Sequence, residues 1–161
     1  MSLYSVEVQI EEPVAGQVEA EPLRRAALAT LIHQEGRSGG GPCELTVVIS
    51  DDDTLRELNR RFRGHDEPTD VLAFQDDTRG PFASLPGLPR YLGDIVISYP
   101  RAEAQAAEAG HTPLAELQLL VVHGVLHLLG HDDAEPEARA AMWQAQAAIL
   151  RALGVELNLP E

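Results

Sequence analysis

Two histidines, His123 and His127, lie four residues apart in a strongly apolar stretch and are well suited to chemistry. Residues four apart in a helix share one face, about one turn from each other, so both imidazoles could bind the same metal ion. The alternative is a pair of core histidines that only form hydrogen bonds. Because an unpaired buried imidazole costs about 1–3 kcal/mol, two so close together on an apolar helix favour the metal site.

The chain that follows offers a third ligand. A catalytic zinc site usually has three protein ligands and one open position. Gly130 is suited to end the helix, since a glycine adopts the left-handed conformation that helix ends often need. His131, Asp132 and Asp133 come next and are all candidate ligands. One of the two aspartates could instead cap the final helix.

The residue pattern predicts interleaved strands and helices around these histidines. We expect strands at 4–10, 44–50, 69–74 and 91–98, and helices at 21–34, from 51–53 through 62, and at 100–110, 112–130 and 136–153. Stretches rich in glycine, proline or polar residues, at 36–42 and 75–90, predict loops. The helix at 112–130 is nearly all apolar, so we expect it inside the protein. Without repeats or an interdomain linker, residues 1–161 are predicted to form one α/β or α+β domain.

Composition restricts the location and the kind of site. Cys43 is the one cysteine among 161 residues, which excludes an internal disulfide framework and a cysteine-based zinc cluster. The first residues lack the basic and apolar regions of a signal peptide. No stretch approaches the roughly 18 apolar residues of a membrane span. A cytoplasmic protein is therefore expected.

The charge distribution bears on nucleic-acid binding. The net charge of −14 argues against indiscriminate binding, because affinity for phosphates comes from clustered cations. All twelve basic residues are arginines, and four of them, Arg56, Arg60, Arg61 and Arg63, lie within eight residues. This cluster is either a local RNA-binding surface or a solvated helix face.

The stretch HGVLHLLGHDD at 123–133 resembles the signature of the YbeY family, in which three histidines follow the pattern H-x3-H-x5-H. His123 and His127 match the first two histidines, and the third falls at Asp133. A carboxylate is an acceptable zinc ligand, so Asp133 can replace the imidazole without changing the coordination number. His131 is the alternative third ligand, at a position where the family commonly has a residue that does not bind metal. We favour Asp133.

Two further motifs strengthen the resemblance. The segment LNRRFRGHDEPTDVLAF at 58–74 is similar to a second family signature, and LGDIVIS at 92–98 is similar to a third, which includes Gly93 and Asp94. Met142 also falls where the family has methionine. The three motifs span residues 58–133 in the expected order, and together they form a specific match.

The resemblance implies an α+β domain of the zincin type, with a small mixed sheet and about five helices. It also implies a metal-dependent, single-strand-specific endoribonuclease that matures the 3′ end of 16S ribosomal RNA. The expected partners are single-stranded precursor RNA and the small ribosomal subunit, with no DNA and no membrane. One Zn²⁺ per chain would be held by His123, His127 and Asp133, and would lower the pKa of a bound water to about 7.

The resemblance also assigns Arg63 to the catalytic site beside His123. By the family match, Arg63 would approach the same cleft and form a bidentate contact with a phosphate. The alternative is a surface ion pair between Arg63 and Asp66 or Glu67.

Other functions remain as alternatives. A zinc metalloprotease with the motif H-E-x-x-H has its general base directly after the first histidine, where this chain has Gly124. A nucleobase deaminase needs paired cysteine ligands. A non-catalytic, ribosome-associated factor would use the metal only to stiffen the fold, and its site would be closed by four protein ligands.

Overall fold

The computed structural model describes residues 3–38, 41–76, 89–155 and 157. Within them, the strands are β1 (Tyr4–Ile10), β2 (Cys43–Ser50), β3 (Val71–Gln75) and β4 (Arg90–Ser98). The helices are α1 (Ala20–His33), α2 (Glu35–Ser38), α3 (Asp52–Arg63), α4 (Tyr99–Ala109), α5 (Pro113–Leu128) and α6 (Pro136–Leu153). These elements confirm the α+β class.

The strands form one mixed sheet in the order β1-β2-β4-β3. Neighbouring strands are parallel except for β3, which lies antiparallel to β4 at one edge. Close to this pairing Gly93 adopts a φ of 142°, which favours glycine. A Cβ at Gly93 would lie 2.1 Å from the carbonyl oxygen of Phe74, so only glycine lets the edge strand approach β4 so closely.

The main core lies between the sheet and the helices α1 and α5, and α6 packs against these two helices. Alternate residues of the central strands, among them Val47, Ile95 and Ile97, have no exposed surface. Helix α5 packs closely there, because a Cβ at Gly124 would lie 2.8 Å from the Cγ2 atom of Ile95. The prediction that the histidine-bearing helix lies inside the protein is confirmed.

Helix α3 packs against the opposite face of the sheet. Its Leu55 contributes to a small second core with Leu72 and Val96. The Asp51 carboxylate accepts a hydrogen bond of 2.9 Å from the backbone N–H of Thr54, and so caps the helix as predicted. This bond holds the pKa of Asp51 below its ordinary value. The cap thus fixes where α3 begins, and the arginine-rich last turn lies at its other end.

The structure differs from the sequence predictions at a few boundaries. The loop predicted at 36–42 begins with one turn of helix, α2, whose first residue Glu35 accepts a hydrogen bond from the Tyr4 hydroxyl. Helix α4 begins one residue early, because the Ser98 hydroxyl accepts the N–H of Arg101. Most of the loop predicted at 75–90 lies outside the described residues. No helix in the described ranges combines the length and the apolar character that crossing a membrane requires.

Candidate metal centre

Three potential metal donors converge at the end of α5. His123 and His127 lie in its last two turns, with their Nε2 atoms 3.1 Å apart and their rings at 75° to each other. Asp133 follows in the turn after the helix. The donor atoms of the three residues all lie within 4.8 Å of one another. In the part of the chain that the structure describes, this is the one such group of histidine, cysteine or acidic residues.

The spacing of these donors suits a metal ion. A tetrahedral zinc ion with Zn–N bonds of about 2.0–2.1 Å places neighbouring donor atoms about 3.3 Å apart. The Nε2 atoms of His123 and His127 are within a few tenths of an ångström of that separation. Two imidazoles and a carboxylate are also a ligand set that zinc accepts. The cluster could therefore bind a metal ion.

A hydrogen bond to α6 orients the first histidine. The Nδ1 atom of His123 lies 3.2 Å from the Oε1 atom of Gln146, a largely buried side chain. An amide oxygen can only accept, so Nδ1 carries the proton and Nε2 keeps its lone pair for the cluster. Burial, with a smaller contribution from nearby His127, lowers the pKa of His123. The imidazole is therefore neutral at pH 7, as a metal ligand must be.

The two candidates for the third ligand lie in different surroundings. His131 is buried, and its Nε2 atom lies 2.9 Å from the Oε1 atom of Gln34, the residue that follows α1. Its backbone N–H also donates to the carbonyl of Leu126 at 3.0 Å. Asp133 is exposed and is the one that joins the histidine pair. The role of Asp133 as a ligand stays a prediction.

Neither aspartate caps the final helix, so that alternative is wrong. The N-cap of α6 is Glu135, whose side chain makes no capping hydrogen bond. Asp132 instead accepts the N–H of Ala134 at 3.0 Å and closes a local turn. The backbone carbonyl of Asp133 accepts a bond of 3.0 Å from Arg139 Nε. This bond anchors the backbone at 133 and leaves the carboxylate for the cluster.

The two histidines of the cluster line a cleft of about 1160 Å³ between α5, the edge strand β3 and the end of α3. Strand β3 is linked to α5 by Gln75, whose Nε2 atom lies 3.4 Å from the carbonyl oxygens of His127 and Leu128. On the opposite side, the buried Asn59 donates to the carbonyl of Glu67 at 3.0 Å. These contacts position the walls of the cleft relative to the three donors.

Arg63 lines this cleft from the last turn of α3. Its Nη2 atom donates to the carbonyl of Ala73 on β3 at 3.2 Å. The alternative ion pair is not formed, since Asp66 pairs with Arg56 at 2.9 Å and no described carboxylate lies within ion-pair distance of Arg63. Its guanidinium thus stands at the cleft without an acidic partner.

The rest of the arginine cluster divides in two. Arg60 forms a bidentate pair with Glu57, at 2.6 and 3.1 Å. Arg56 is also paired, through one contact with Asp66. Arg61 forms no ion pair among the described residues, and its guanidinium lies 5.6 Å from the centre of the Phe62 ring. Half of the positive charge in the cluster is therefore neutralised locally.

Sequence reasoning did not single out Gln146 or Gln75. Gln146 lies on the buried face of α6, one turn after Met142 and near Ile149. A polar side chain in that apolar row was the available signal, because buried amides need partners. Gln75 gave no such signal, since its bonding partners on α5 are 52 and 53 positions further along the chain.

Together, fold and donor cluster define a small α+β protein with a candidate single-ion metal centre. The family described as endoribonuclease YbeY matches residues 8–154, and the chain belongs to that family. The protein named endoribonuclease YbeY in Chloroflexus aurantiacus is 48% identical over 155 residues, or 95% of this chain and 97% of the relative. Its namesake in Roseiflexus castenholzii is 46% identical over 151 residues, 93% of each chain.

A solved structure shows the same fold. The solution structure of TM1509 from Thermotoga maritima is 26% identical in sequence and superposes with a TM-score of 0.59. The match covers 92% of this chain and 88% of the other. The arrangement of sheet and helices is therefore shared across most of both proteins.

Proposed function

We propose that this protein is a metal-dependent endoribonuclease that cleaves single-stranded RNA. Its place would be the cytoplasmic maturation of the 3′ end of 16S ribosomal RNA and ribosome quality control, with the small ribosomal subunit as partner. The whole chain, 1–161, would act as one domain. Membership of the YbeY family supports the reaction. The observation that carries the proposal is that both histidines of the donor cluster line a cleft whose rim holds an arginine without an ion pair to any described residue.

We assign Zn²⁺ to the cluster, one ion per chain, with His123, His127 and Asp133 as ligands. Three protein ligands leave a fourth position for water or substrate, as in catalytic zinc sites. A bound divalent ion supplies an activated water at neutral pH and polarises a phosphoryl oxygen.

The chain's own residues provide positioning and charge. Gln146 keeps the proton of His123 on Nδ1, so that Nε2 stays directed at the cluster. Arg63 can exchange its single bond to the Ala73 carbonyl for a bidentate contact with two phosphate oxygens. Its planar guanidinium would neutralise charge that develops on the reacting phosphate.

The geometry disfavours the metalloprotease alternative. Peptide hydrolysis by this class of site uses a glutamate directly after the first histidine. That position is Gly124, where even a Cβ would lie 2.8 Å from Ile95. A glutamate could not occupy it without displacing a core side chain, so the site lacks that general base.

The geometry also disfavours a purely structural metal. A structural zinc site is closed by four protein ligands. Among the described residues three donors gather, and His131, the nearest candidate for a fourth in sequence, contacts Gln34 instead. An open site is the arrangement that catalysis needs.

Metal analysis and RNA cleavage test the proposal together. Purified protein should contain about one divalent ion per chain and should cleave a single-stranded RNA that includes the 3′ end of precursor 16S RNA. His123→Ala should lose both properties, whereas His33→Ala, a change at an exposed histidine on α1, should keep them. Protein that takes up neither zinc nor another first-row metal, or loaded protein that leaves the RNA intact, would contradict the proposal.

A further inference from the structure

Phe62 is an aromatic side chain exposed at the mouth of the cleft. It lies in the last turn of α3 between Arg61 and Arg63, and 61% of its surface is exposed. Its ring packs edge-on against Phe74 of β3, with ring centres 5.4 Å apart at 67°. Phe74 therefore fixes the orientation of the Phe62 ring and leaves most of its surface exposed.

The same ring separates two cavities. Phe62 and Phe74 line the same cleft as His123 and His127, and they also line a groove of about 560 Å³ on the sheet face beside α3. The groove continues along Leu58 and Val48 to a polar end, where the Tyr91 hydroxyl contacts Thr46 and Asp94. A group that leaves the cleft over Phe62 thus enters a groove with apolar walls.

The charges around the ring match a nucleic-acid strand. Among the described residues Arg61 and Arg63 flank it without ion pairs, whereas Arg56 and Arg60, further back on α3, are paired with carboxylates. Proteins hold single-stranded nucleic acid by combining cations for the phosphates with aromatic rings for the bases. The guanidinium of Arg61 lies over the ring, 5.6 Å from its centre, so a cation is already held beside the exposed aromatic surface.

We propose that Phe62 is a stacking platform for one unpaired base of the RNA. This proposal rests on the RNA-directed function proposed above. Phosphates on either side of that base contact Arg61 and Arg63, and the base turns out of the cleft onto the ring. The Asp94 carboxylate repels phosphate, so the groove receives bases and the backbone stays with the arginines. Only a base that is free of a duplex can leave its stack in this way, so the platform selects single strands.

Binding measurements with the full chain test the platform without depending on cleavage. A fluorescein-labelled, 12-nucleotide single-stranded RNA is titrated in chelator, and its anisotropy gives the Kd. Phe62→Ala and Phe62→Leu should each raise the Kd by about 5- to 150-fold, since stacking is lost in both. Phe62→Trp should bind at least as tightly as the wild type. Trp143→Ala, which removes another half-exposed aromatic, on α6, should bind like the wild type.

The RNA itself offers a second comparison. Annealing it to its complement should weaken wild-type binding and remove most of the difference between wild type and Phe62→Ala. In a series of RNAs with one abasic position each, one position should weaken binding to the wild type and have little effect on Phe62→Ala. That coupling would identify the stacked base.

The outcomes separate this proposal from the proposed reaction. Equal Kd values for wild type, Phe62→Ala and Phe62→Leu would overturn the platform, even if the metal-loaded enzyme cleaves RNA. The exposed ring would then be a candidate contact for a protein partner. Binding that depends on Phe62 without cleavage by metal-loaded protein would support the platform and overturn the nuclease. Absence of RNA binding by the wild type would overturn the platform. Phe62→Trp and thermal unfolding of each variant exclude misfolding as the cause.

Discussion

The end of α5 and the end of α3 face the same cleft and are built in opposite ways. The histidines of α5 are half-buried on an apolar helix, and Gln146 orients one of them. The arginines of α3 are exposed on a helix that buries little besides Leu55 and Asn59. The difference suits the tasks proposed for the two ends, since metal donors need fixed positions whereas a flexible RNA backbone can be held by side chains that adapt. We expect substitutions at the end of α5 to abolish RNA cleavage and substitutions at the end of α3 to reduce its rate or the affinity for RNA by degrees.

The largest effect should come from the second histidine of α5. His127→Ala removes a metal donor, so it should reduce metal affinity by more than the 10- to 100-fold typical of an outer hydrogen-bond partner. RNA cleavage should fall below detection with it. Metal content by mass spectrometry and cleavage at fixed zinc measure the two effects. Retention of a full equivalent of tightly bound metal would show that the α5 cluster is not the metal site.

The turn after α5 offers a comparison between its two candidate ligands. Asp133→Ala should weaken zinc binding strongly, while Asp133→His should restore the family pattern and keep activity. His131→Ala should mainly lower the stability of the fold, because His131 contacts Gln34. Zinc titration and chemical denaturation of all three variants distinguish these effects. If His131→Ala abolishes binding while Asp133→Ala does not, the assignment of the third ligand is wrong.

At the end of α3, Arg63 should have the strongest effect on the chemical step. Arg63→Ala should slow single-turnover cleavage at saturating enzyme by about 100-fold, as loss of one charge-stabilising donor does elsewhere. Arg63→Lys should still be damaging, because a fork becomes a point charge. Arg61→Ala should mainly weaken binding and lessen its salt dependence, and Arg60→Ala should do so less, since Glu57 already pairs with Arg60. An Arg63→Ala rate near that of the wild type would remove Arg63 from the catalytic site.

The smallest effect should come from the cap of α3. Asp51→Ala should lower the free energy of unfolding by about 1 kcal/mol and leave zinc affinity unchanged. Because folding lowers the pKa of Asp51, its charge stabilises the fold above its unfolded pKa of 3.8. That contribution is lost as the pH falls through the folded pKa. Urea denaturation at pH 7 and pH 3 should therefore show a difference from wild type that shrinks in acid, whereas Asp51→Asn, which keeps an acceptor, should cost less at pH 7.

Local patterns were enough to predict most of the elements and the histidine face. The end signals Thr112, Pro113 and Gly130 placed α5, and the spacing of His123 and His127 predicted their approach. The choice of Asp133 as third ligand came from the family signature, because the residues alone left His131, Asp132 and Asp133 as equal candidates. The apolar row around Gln146 marked it as a residue that needs a partner, but the partners of Gln146, Gln34 and Gln75 could not be predicted, because each lies 23 to 97 residues away. Pairs at such distances leave no local pattern in the sequence.

The contact between Gln34 and His131 has a consequence for how the protein folds. It joins positions 97 apart in the chain, and such distant contacts form only after the entropy of closing a long loop has been overcome. The turn that carries Asp133 is thus anchored to a helix from the first quarter of the chain. A half-folded molecule lacks this anchor, so the turn with Asp133 is held less firmly beside His123 and His127, which α5 alone brings onto one face. We therefore expect the third candidate donor to take its place late in folding, after the histidine pair has formed on α5.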